Sequence, residues 1–551
     1  MANIKILRKQ FEKEIGKLDE KMQNKIALFG TPLESFDEEE IELEIFPNRP
    51  DLLSYQGFKR SFLAFLGKQT GLKKYNLKKP EKNYFVKLDK SLKRIRPYTV
   101  CAIVKNLNFD DEKIKEIIDI QERLHNTIGR KRKKVAIGIY PLEKIKLPIT
   151  FKALEPDKIK FIPLESPGQR EMSGLEILQR HPTGRNYAHL LAGKAKFPIF
   201  IDAGGNILSM PPIINSHLTG KIDENTKEVF IECSGFNFEI QKKCLNIIVT
   251  TLAEMGGKIC QMQLKGTLKK ITPDFSVEKM KISKDNTNKL LGTKLNEKKI
   301  KKLLEKMGYD CTKNLLVSIP AWRTDILHEV DLIEDVAIAY GYENFEPEIP
   351  EISTIGQENK KEIIKRKISE IFSGLGFLEI SNYHLTKKID QVEKMNLIEK
   401  SESINEVENS KTDYNLLREN LSHYVLKILS ENIDVEYPQK IFELGTVFKN
   451  QKSEILEQQN LCAAITPGNF TELKQVILYL SKMLGFKIEL VEPEDQISKY
   501  FIDGRVVEIK SEKKSIGSLG EVHPKILKNW KIKMPVVLFE MNLDEAFRGL
   551  F

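Results

Sequence analysis

Two stretches that lack hydrophobic periodicity divide this chain of 551 residues. Residues 71–83 read GLKKYNLKKPEKN, which is basic and contains both Gly and Pro, and residues 350–360 include Pro350 and Gly356. This composition is typical of linkers. A length of 551 residues also exceeds what one core usually serves, since domains contain roughly 100–200 residues. The chain is therefore predicted to fold as several domains in succession.

Composition narrows the class of protein. Apolar residues make up 41% and charged residues 30%, which excludes a disordered tail protein, a collagen and a disulfide miniprotein. No apolar run approaches the roughly 18 residues of a membrane span, and no secretory signal begins the chain, so we expect a cytoplasmic protein with no membrane partner. The six scattered cysteines predict reduced, mostly buried thiols. The net charge of +10 permits a nucleic-acid partner without requiring one.

Hydrophobic periodicity predicts an α+β protein. We expect helices from Ile6 to Leu18, from Leu52 to Leu66 and from about Leu327 to Tyr340, and a further helix capped by Asn296. Gly67 is predicted to end the second of these in a left-handed conformation. The predicted domains are a small α/β domain at 1–83, a sheet with packed helices at 84–268, a compact unit at 269–350 and a larger α/β domain at 351–551.

The stretch IPAWRTDILHEVDLIEDVAIAYGY, residues 319–342, concentrates carboxylates. Asp331, Glu334 and Asp335 lie at i, i+3 and i+4 of a predicted helix and so share one face. Asp325 precedes the helix and can fold toward the same side. Four oxygen donors without His or Cys suit a hard cation such as Mg²⁺. The alternative is a solvated acidic face, or carboxylates neutralised by the nearby Arg323 and His328.

A second informative stretch is NILSMPPIINSHLTGKI, residues 206–222. Pro211 and Pro212 enforce an extended backbone, and Asn215 and Ser216 place small polar groups directly after it. Such a segment can form the wall of a ligand pocket that is mostly apolar with a few polar groups. The alternative is a strand that leads into a helix, with Asn215 or Ser216 as its N-cap.

A third feature is the run GRKRKK at residues 129–134, with five consecutive basic residues. It can meet a phosphate backbone or simply be a solvated turn. The motifs of an independent catalytic centre are missing from the sequence: there is no G-x-x-x-x-G-K-[ST], no G-x-G-x-x-G before a helix, no H-E-x-x-H and no G-x-S-x-G.

Five landmarks, in order along nearly the whole chain, resemble the β subunits of phenylalanyl-tRNA synthetases of the shorter archaeal and eukaryotic cytosolic type. The resemblance implies a multidomain α+β protein with an N-terminal B1-like domain, an editing (B3/B4) domain, a winged-helix-like B5 domain and a class II synthetase-like antiparallel-sheet domain that lacks catalytic motifs. The landmarks are PNRPDLLSYQGFKR at 47–60, MPPIINSHLTGKI at 210–222, the 319–342 stretch, IFELGTVF at 441–448 and GSLGEVHPKIL at 517–527.

The resemblance also implies partners and sites. It implies a heterotetramer of two α and two β subunits, in which the α subunit attaches phenylalanine to tRNA(Phe) with ATP and the β subunit hydrolyses mischarged tyrosyl-tRNA(Phe). The editing pocket is expected at Leu208, Pro212, Asn215, Ser216 and Glu232. A Mg²⁺ shared with the α subunit is expected at Asp325, Asp331, Glu334 and Asp335.

One segment departs from the resemblance. Related sequences usually carry a Thr-Gly-Thr-Asp-like string where this chain has Cys233-Ser234-Gly235-Phe236-Asn237. This departure leaves open a structural and tRNA-docking subunit whose editing has decayed. The basic charge balance and the winged-helix-like units leave open a second alternative, a nucleic-acid-binding module outside translation.

Overall fold

The computed structural model describes residues 2–351, 354–397, 404–451, 454–493 and 500–548. It forms two compact units, residues 1–349 and 350–551. The second predicted linker begins at this division. The first does not behave as a free linker, because the Leu72 N–H donates to the Asp310 carboxylate at 3.1 Å and the Lys78 N–H donates to the Ile259 carbonyl at 2.9 Å.

The N-terminal segment begins with a strand, so the predicted helix from Ile6 to Leu18 is wrong at its start. Ile4 and Ile6 alternate with exposed residues and pair their strand with Glu40–Ile45. Gly67 has a φ of 76° just after the third helix, which confirms the predicted left-handed end. The elements here are strands Ala2–Leu7, Leu33–Phe36 and Glu40–Ile45 and helices Arg8–Glu14, Glu20–Leu28 and Tyr55–Phe65.

A ten-stranded mixed sheet forms the centre of the first unit. Its strand Val229–Gly235 lies between Tyr98–Lys105 and Val135–Pro141, antiparallel to both. The helices Asp111–Asn126 and Phe238–Glu254 pack their apolar sides on this part of the sheet. The remaining elements are strands Phe85–Leu88, Ile149–Leu154, Phe197–Ile201, Ile207–Met210, Ile214–Asn215, Lys258–Gly266 and Lys270–Thr272, the two-residue pair Lys160–Phe161 and Met172–Ser173, and helices Gly174–Arg180, Pro182–Tyr187 and His217–Gly220.

The end of the first unit combines three helices with a three-stranded antiparallel sheet. The Asn296 side chain accepts a hydrogen bond from the Lys299 N–H at 2.9 Å, which confirms the predicted cap. The last helix begins two residues later than predicted because His328 takes the N-cap position. The elements are strands Glu278–Lys281, Asp310–Cys311 and Leu316–Ile319 and helices Lys284–Leu291, Glu297–Lys306 and Glu329–Tyr340.

The second unit is built on a seven-stranded sheet that is antiparallel except for one edge pair, in agreement with the prediction. The long strands Gln439–Gln451 and Glu454–Thr466 form a hairpin at the second and third positions of the sheet, and Val537–Asn542 is its central strand. The other sheet strands are Leu378–Glu379, Val537–Asn542, Lys514–Val522, Phe501–Ser511 and Glu489–Val491; a separate pair is Leu385–Thr386 with Leu416–Leu417, and the helices are Lys360–Gly374, Ser422–Glu431, Phe470–Leu484, Pro524–Asn529 and Leu543–Ala546, with a π-helical turn at Ile389–Glu393.

Two expectations from composition concern the whole chain. All six cysteines are free and buried, as predicted. Within the part of the chain that the structure describes, no helix combines the length and the apolar character that crossing a bilayer requires.

Candidate functional site

A cavity of about 650 Å³ lies in the first unit, against the strand that carries Glu232. The helix Asp111–Asn126 and the strand Val135–Pro141 contribute apolar walls, and the Pro-Pro segment predicted as a pocket wall forms the opposite side. Isoleucines and prolines supply most of its apolar lining, and polar groups project among them. Those polar or charged lining residues are Gln121, Glu122, His125, Arg132, Glu165, Thr183, Asn215, His217, Lys221 and Glu232.

Three of the five predicted pocket residues line this cavity: Pro212, Asn215 and Glu232. The other two lie behind the wall. Leu208 is fully buried in an apolar cluster of the sheet, and Ser216 is buried with its N–H donating to the Leu208 carbonyl at 2.7 Å. Residues 211–215 line the cavity consecutively, whereas Leu208 and Ser216, on either side of them, do not.

Glu232 is a carboxyl group that the fold has removed from water. Its side chain is 1% exposed and belongs to the middle strand of three. Burial raises its pKa to about 8, despite the opposing charge of Arg96. Oε1 lies 3.4 Å from the Tyr140 hydroxyl, and Oε2 has no hydrogen-bond partner among the residues that the structure describes. A buried polar atom without a partner is costly, so it is suited to pair with a ligand.

Tyr140 connects two polar residues of the cavity wall, Asn215 and Glu232. Its hydroxyl lies 3.3 Å from Oδ1 of Asn215 and 3.4 Å from Oε1 of Glu232, and its single proton can serve one of them at a time. The ring lies directly over Gly138, where a Cβ would stand 2.1 Å from the hydroxyl oxygen. Glycine at this position is therefore what allows Tyr140 to reach both groups.

The sequence analysis missed a second polar group of the cavity, built on His125. Its Nε2 accepts the Ile137 N–H at 2.8 Å, and its Nδ1 faces Glu122 at 3.2 Å. Burial lowers the pKa of His125, and the hydrogen bond from His125 is the main cause that lowers the pKa of Glu122 to about 2. Arg132 also donates to Glu122 at 2.8 Å. The basic run was the one sequence signal that pointed here.

The unusual string 233–237 does not line the cavity. Gly235 is required because a Cβ there would stand 2.0 Å from Nε2 of Gln241. Phe236 is 53% exposed, and the centre of its ring lies 5.5 Å from the guanidinium carbon of Arg96. The side chain of Asn237 caps the next helix by accepting the Ile240 N–H at 3.2 Å. The string therefore serves the junction between strand and helix.

In the acidic stretch, residues 319–342, the side chain of Arg323 pairs with two of the carboxylates. Arg323, 4% exposed, donates two hydrogen bonds to Asp325 at 2.8 and 2.7 Å and one to Asp335 at 2.8 Å. Tyr309 also donates to Asp335. Burial opposes the ionisation of Asp325, but Arg323 holds the pKa of that carboxyl below its usual value. Neutralisation by Arg323, an alternative raised from the sequence, is thus present at two of the four carboxylates.

The other two carboxylates differ in their surroundings. Oδ2 of Asp331 accepts the N–H groups of Leu327 and His328 at 2.7 Å each and so closes the start of its helix. Glu334 is exposed, and its pKa is raised by partial burial and by the charges of Asp335 and Asp331. Among the residues that the structure describes, no three carboxylate, His or Cys side chains come together closely enough to hold a metal ion.

In the second unit the buried charges on the sheet are satisfied internally. Arg418 donates to Glu443 at 2.6 Å, and both are almost fully buried. Glu540 accepts hydrogen bonds from the Leu421 N–H, from Asn460 and from both the N–H and the hydroxyl of Ser422. These groups stabilise the packing of the helix Ser422–Glu431 on the sheet.

Comparison with known proteins places both units. Residues 280–342 match the family model of the tRNA synthetase B5 domain, and residues 346–543 match that of the phenylalanyl tRNA synthetase beta chain CLM domain. The phenylalanine–tRNA ligase beta subunit of Thermococcus sibiricus is 40% identical over 92% of this chain and 90% of its own length. The beta subunit of Archaeoglobus fulgidus is 36% identical over 98% of this chain and 97% of its own length.

A solved structure covers much of the first unit. It is an N-terminal fragment of the phenylalanyl-tRNA synthetase beta subunit of Pyrococcus horikoshii, 39% identical, with a TM-score of 0.58 over 62% of this chain and 99% of the fragment. The two beta subunits match more than nine-tenths of this chain at 36–40% identity. The chain belongs to the family of phenylalanine–tRNA ligase beta subunits.

Proposed function

We propose that this chain acts in the cytoplasm as the β subunit of a phenylalanine–tRNA ligase and removes tyrosine from mischarged tRNA(Phe). In this proposal an α subunit activates phenylalanine with ATP and charges the tRNA, in a heterotetramer of two α and two β subunits. The match to beta subunits over more than nine-tenths of the chain supports the assembly. The observation that carries the hydrolytic part is the unpaired Oε2 of Glu232 at the wall of the 650 Å³ cavity.

The physical need for a second site follows from the substrates. Tyrosine differs from phenylalanine by one hydroxyl group, and an apolar pocket rejects an added hydroxyl only modestly. A separate site that requires the hydroxyl can correct the error. The cavity has the size and the mostly apolar lining of a small-ligand site.

Glu232 supplies the discrimination that such a site needs. With a pKa of about 8 it is mostly protonated at neutral pH, so its carboxyl group can both donate to and accept from a phenolic hydroxyl. A bound phenylalanine would leave Oε2 unpaired, at a cost of about 1–3 kcal/mol. The site would therefore bind a tyrosyl group and release a phenylalanyl group.

Deacylation of tyrosyl-tRNA(Phe) by the assembled complex tests this proposal. Glu232→Ala and Asn215→Ala should slow hydrolysis and leave phenylalanine charging intact. Ser216→Ala serves as the matched control next to Asn215, because the Ser216 side chain is buried behind the cavity wall. We expect a smaller effect from Ser216→Ala than from Asn215→Ala.

The main alternative is a structural and tRNA-docking subunit whose editing has decayed. It was raised by the string 233–237, which the fold uses at a strand-helix junction away from the cavity. An unmodified complex that fails to hydrolyse tyrosyl-tRNA(Phe) would establish this alternative. A chain that forms no complex with an α subunit would instead favour a module outside translation.

We also propose that Asp325, Asp331, Glu334 and Asp335 form the β-subunit part of a Mg²⁺ site completed by the α subunit. Mg²⁺ is usually held by one or two carboxylates together with water and groups from outside. The exposed Glu334, whose neighbours raise its pKa, fits this role, with Asp331 beside it. Asp325 and Asp335 already bond to Arg323 and would contribute mainly negative charge. A bound ion would supply positive charge between the subunits.

Subunit association measured against Mg²⁺ concentration tests the metal proposal. Glu334→Gln and Asp331→Asn should weaken association and reduce its response to Mg²⁺. Glu334→Gln is the cleaner variant, because Asp331 also closes the helix start. Glu343→Gln, an exposed carboxylate nearby, is the control. Association indifferent to Mg²⁺ and to both substitutions would refute the shared ion.

A further inference from the structure

We propose that the basic loop, residues 129–134, binds the sugar-phosphate backbone of a single-stranded tRNA end and guides it into the cavity that contains Glu232. The inference rests on the proposed hydrolytic function and names the surface through which the substrate reaches that site. Of the five basic residues in this loop, Arg132 lines the cavity that contains Glu232, and the other four do not. The loop joins the helix Asp111–Asn126 to the strand Val135–Pro141.

The outward charges of the loop lack protein counter-ions. Arg130, Lys131, Lys133 and Lys134 are exposed. Among the described residues, no carboxylate lies within ion-pair distance of any of these four. Many other lysines and arginines of the first unit do pair with carboxylates, for example Lys113 with Asp110 at 2.9 Å. Unpaired cations concentrated in a short segment suit a polyanion, because each phosphate bound releases counter-ions.

The remaining basic residue fixes the loop to the rim of the cavity. Arg132 donates to the Ile213 carbonyl at 2.8 Å and to Glu122 at 2.8 Å. Its guanidinium also lies 4.4 Å from the centre of the Tyr187 ring. Arg132 lines the cavity, so the loop that carries the other four charges borders it.

The backbone holds these side chains in one arrangement. Arg130, Lys131 and Arg132 have φ values of 46°, 53° and 64°, which is uncommon for consecutive residues other than glycine. The N–H groups of Arg132 and Lys134 donate to the carbonyls of His125 and Gly129 at 3.1 and 2.8 Å. A preorganised loop loses less conformational freedom on binding than a flexible one.

A second cavity, of about 670 Å³, lies on the other side of the loop. Arg130 and Lys134 line it, whereas Arg132 between them lines the first cavity, so the loop separates the two. Arg123 and the 37% exposed ring of Phe46 also face the second cavity. Basic groups that follow a backbone, next to an aromatic ring on which a base can stack, are typical of single-strand binding.

The competing explanation is purely structural. Cations that follow a helix C-terminus stabilise the helix through its dipole, and the loop follows such an end. That role predicts a lower melting temperature for a neutralised loop and no change in how tRNA binding depends on salt. The proposed role predicts the reverse, so both quantities are measured.

The first experiment uses the complex of this chain with its α subunit. The loop variant is Arg130→Gln/Lys131→Gln/Lys133→Gln, and the control is Lys90→Gln/Lys93→Gln/Arg94→Gln, which removes one arginine and two lysines that are also exposed. In the loop variant, the slope of log Kd for tRNA(Phe) against log salt should fall by about 2, at about 0.7 per phosphate of a single strand. The KM for tyrosyl-tRNA(Phe) in deacylation should rise about tenfold with kcat unchanged, while the control matches the unmodified complex.

An unchanged salt slope and KM in the loop variant would overturn the inference and leave the proposed hydrolysis in place. An unmodified complex that cannot hydrolyse tyrosyl-tRNA(Phe) would instead overturn the proposed function.

A second experiment tests whether the loop contacts the tRNA end in either case, and it does not depend on the triple variant folding. All six natural cysteines are buried, so Lys131→Cys introduces an exposed thiol that can carry an aryl azide. Cross-links should map to the 3′-terminal nucleotides of tRNA(Phe), with none from Lys93→Cys; cross-links absent or confined to paired regions would overturn the inference.

Discussion

At the scale of single residues, Glu232 shows how burial changes the chemistry of a carboxyl group. Its pKa is about 8 because burial raises it more than Arg96 lowers it. Between about pH 4.5 and 8 the folded chain holds a proton that the unfolded chain has released. The free energy of unfolding must therefore fall as pH rises through this window.

Glu232→Gln should remove this pH dependence, because the amide resembles the protonated carboxyl group. From pH 5 to 8 the unmodified chain should lose stability relative to the variant, by at most about 1.4 kcal/mol per pH unit. Melting temperatures measured across this range check the expectation. Glu224→Gln, at an exposed position, should follow the unmodified chain. Parallel pH curves for the unmodified chain and Glu232→Gln would contradict it.

Arg323 is the second residue whose removal should have a large effect. It is buried and pairs with both Asp325 and Asp335. Arg323→Gln leaves two carboxylates without their partner and should destabilise the first unit by about 3–5 kcal/mol. Arg8→Gln is the matched control, since the Arg8–Glu12 pair is partly exposed and should contribute at most about 1 kcal/mol. Chemical unfolding of the full chain measures both; equal losses would refute the argument.

At the scale of elements, the segment 233–237 shows a structural reason for an unusual sequence. Strand Val229–Gly235 ends at Gly235, and helix Phe238–Glu254 begins three residues later with Asn237 as its cap. Asparagine is among the preferred N-caps, and aspartate serves equally well. In the sequence, Asn237 in place of the aspartate of related sequences raised the alternative of decayed editing. In the structure, its side chain accepts the Ile240 N–H at the start of the helix.

Two substitutions at Asn237 separate capping from catalysis. Asn237→Ala should cost about 1 kcal/mol of stability through the lost cap. Asn237→Asp should keep the cap and add up to about 1 kcal/mol from the charge at the helix N-terminus. Thermal unfolding of the full chain measures these changes. Deacylation of tyrosyl-tRNA(Phe) by the complex should be the same for both variants, and a loss of hydrolysis in Asn237→Ala at a temperature where it is folded would give the residue a catalytic role.

At the scale of the whole molecule, the chain is expected to depend on an α subunit for the activation of phenylalanine with ATP. Residues 351–551 contain neither an F-R-x-E motif nor a late G-x-G-x-x-x-R motif of the kind that class II synthetases use to bind ATP. The buried carboxylates of the seven-stranded sheet, Glu443 and Glu540, bond to Arg418, Ser422 and Asn460. Purified chain without an α subunit should therefore show no ATP–pyrophosphate exchange. Exchange above background, with the α subunit shown to be absent, would refute this, and activity on adding the α subunit is the positive control.

Local patterns in the sequence determined much of the architecture. Strand-like apolar stretches predicted a sheet within residues 84–268, where the strands Tyr98–Lys105, Val135–Pro141 and Val229–Gly235 lie, and hydrophobic periodicity predicted the helix capped by Asn296. These features depend on neighbours within a few residues, as do the caps at Asn296 and Gly67. Sequence resemblance also pointed to the family that the comparisons established.

Tertiary structure alone decided which side chains meet. Leu208 and Glu232 are both buried on strands, yet only Glu232 lines the cavity, although Phe230, two residues before Glu232, packs in the same apolar cluster as Leu208. Asp325 and Asp335 share Arg323 although they are ten residues apart, while Glu334 next to Asp335 stays exposed. Arg132 reaches Glu122, beside His125, from a loop with a left-handed backbone. The basic run in the sequence predicted neither this backbone nor this contact. Burial, pKa and contact are properties of the folded surroundings, and those surroundings come from residues far apart along the chain.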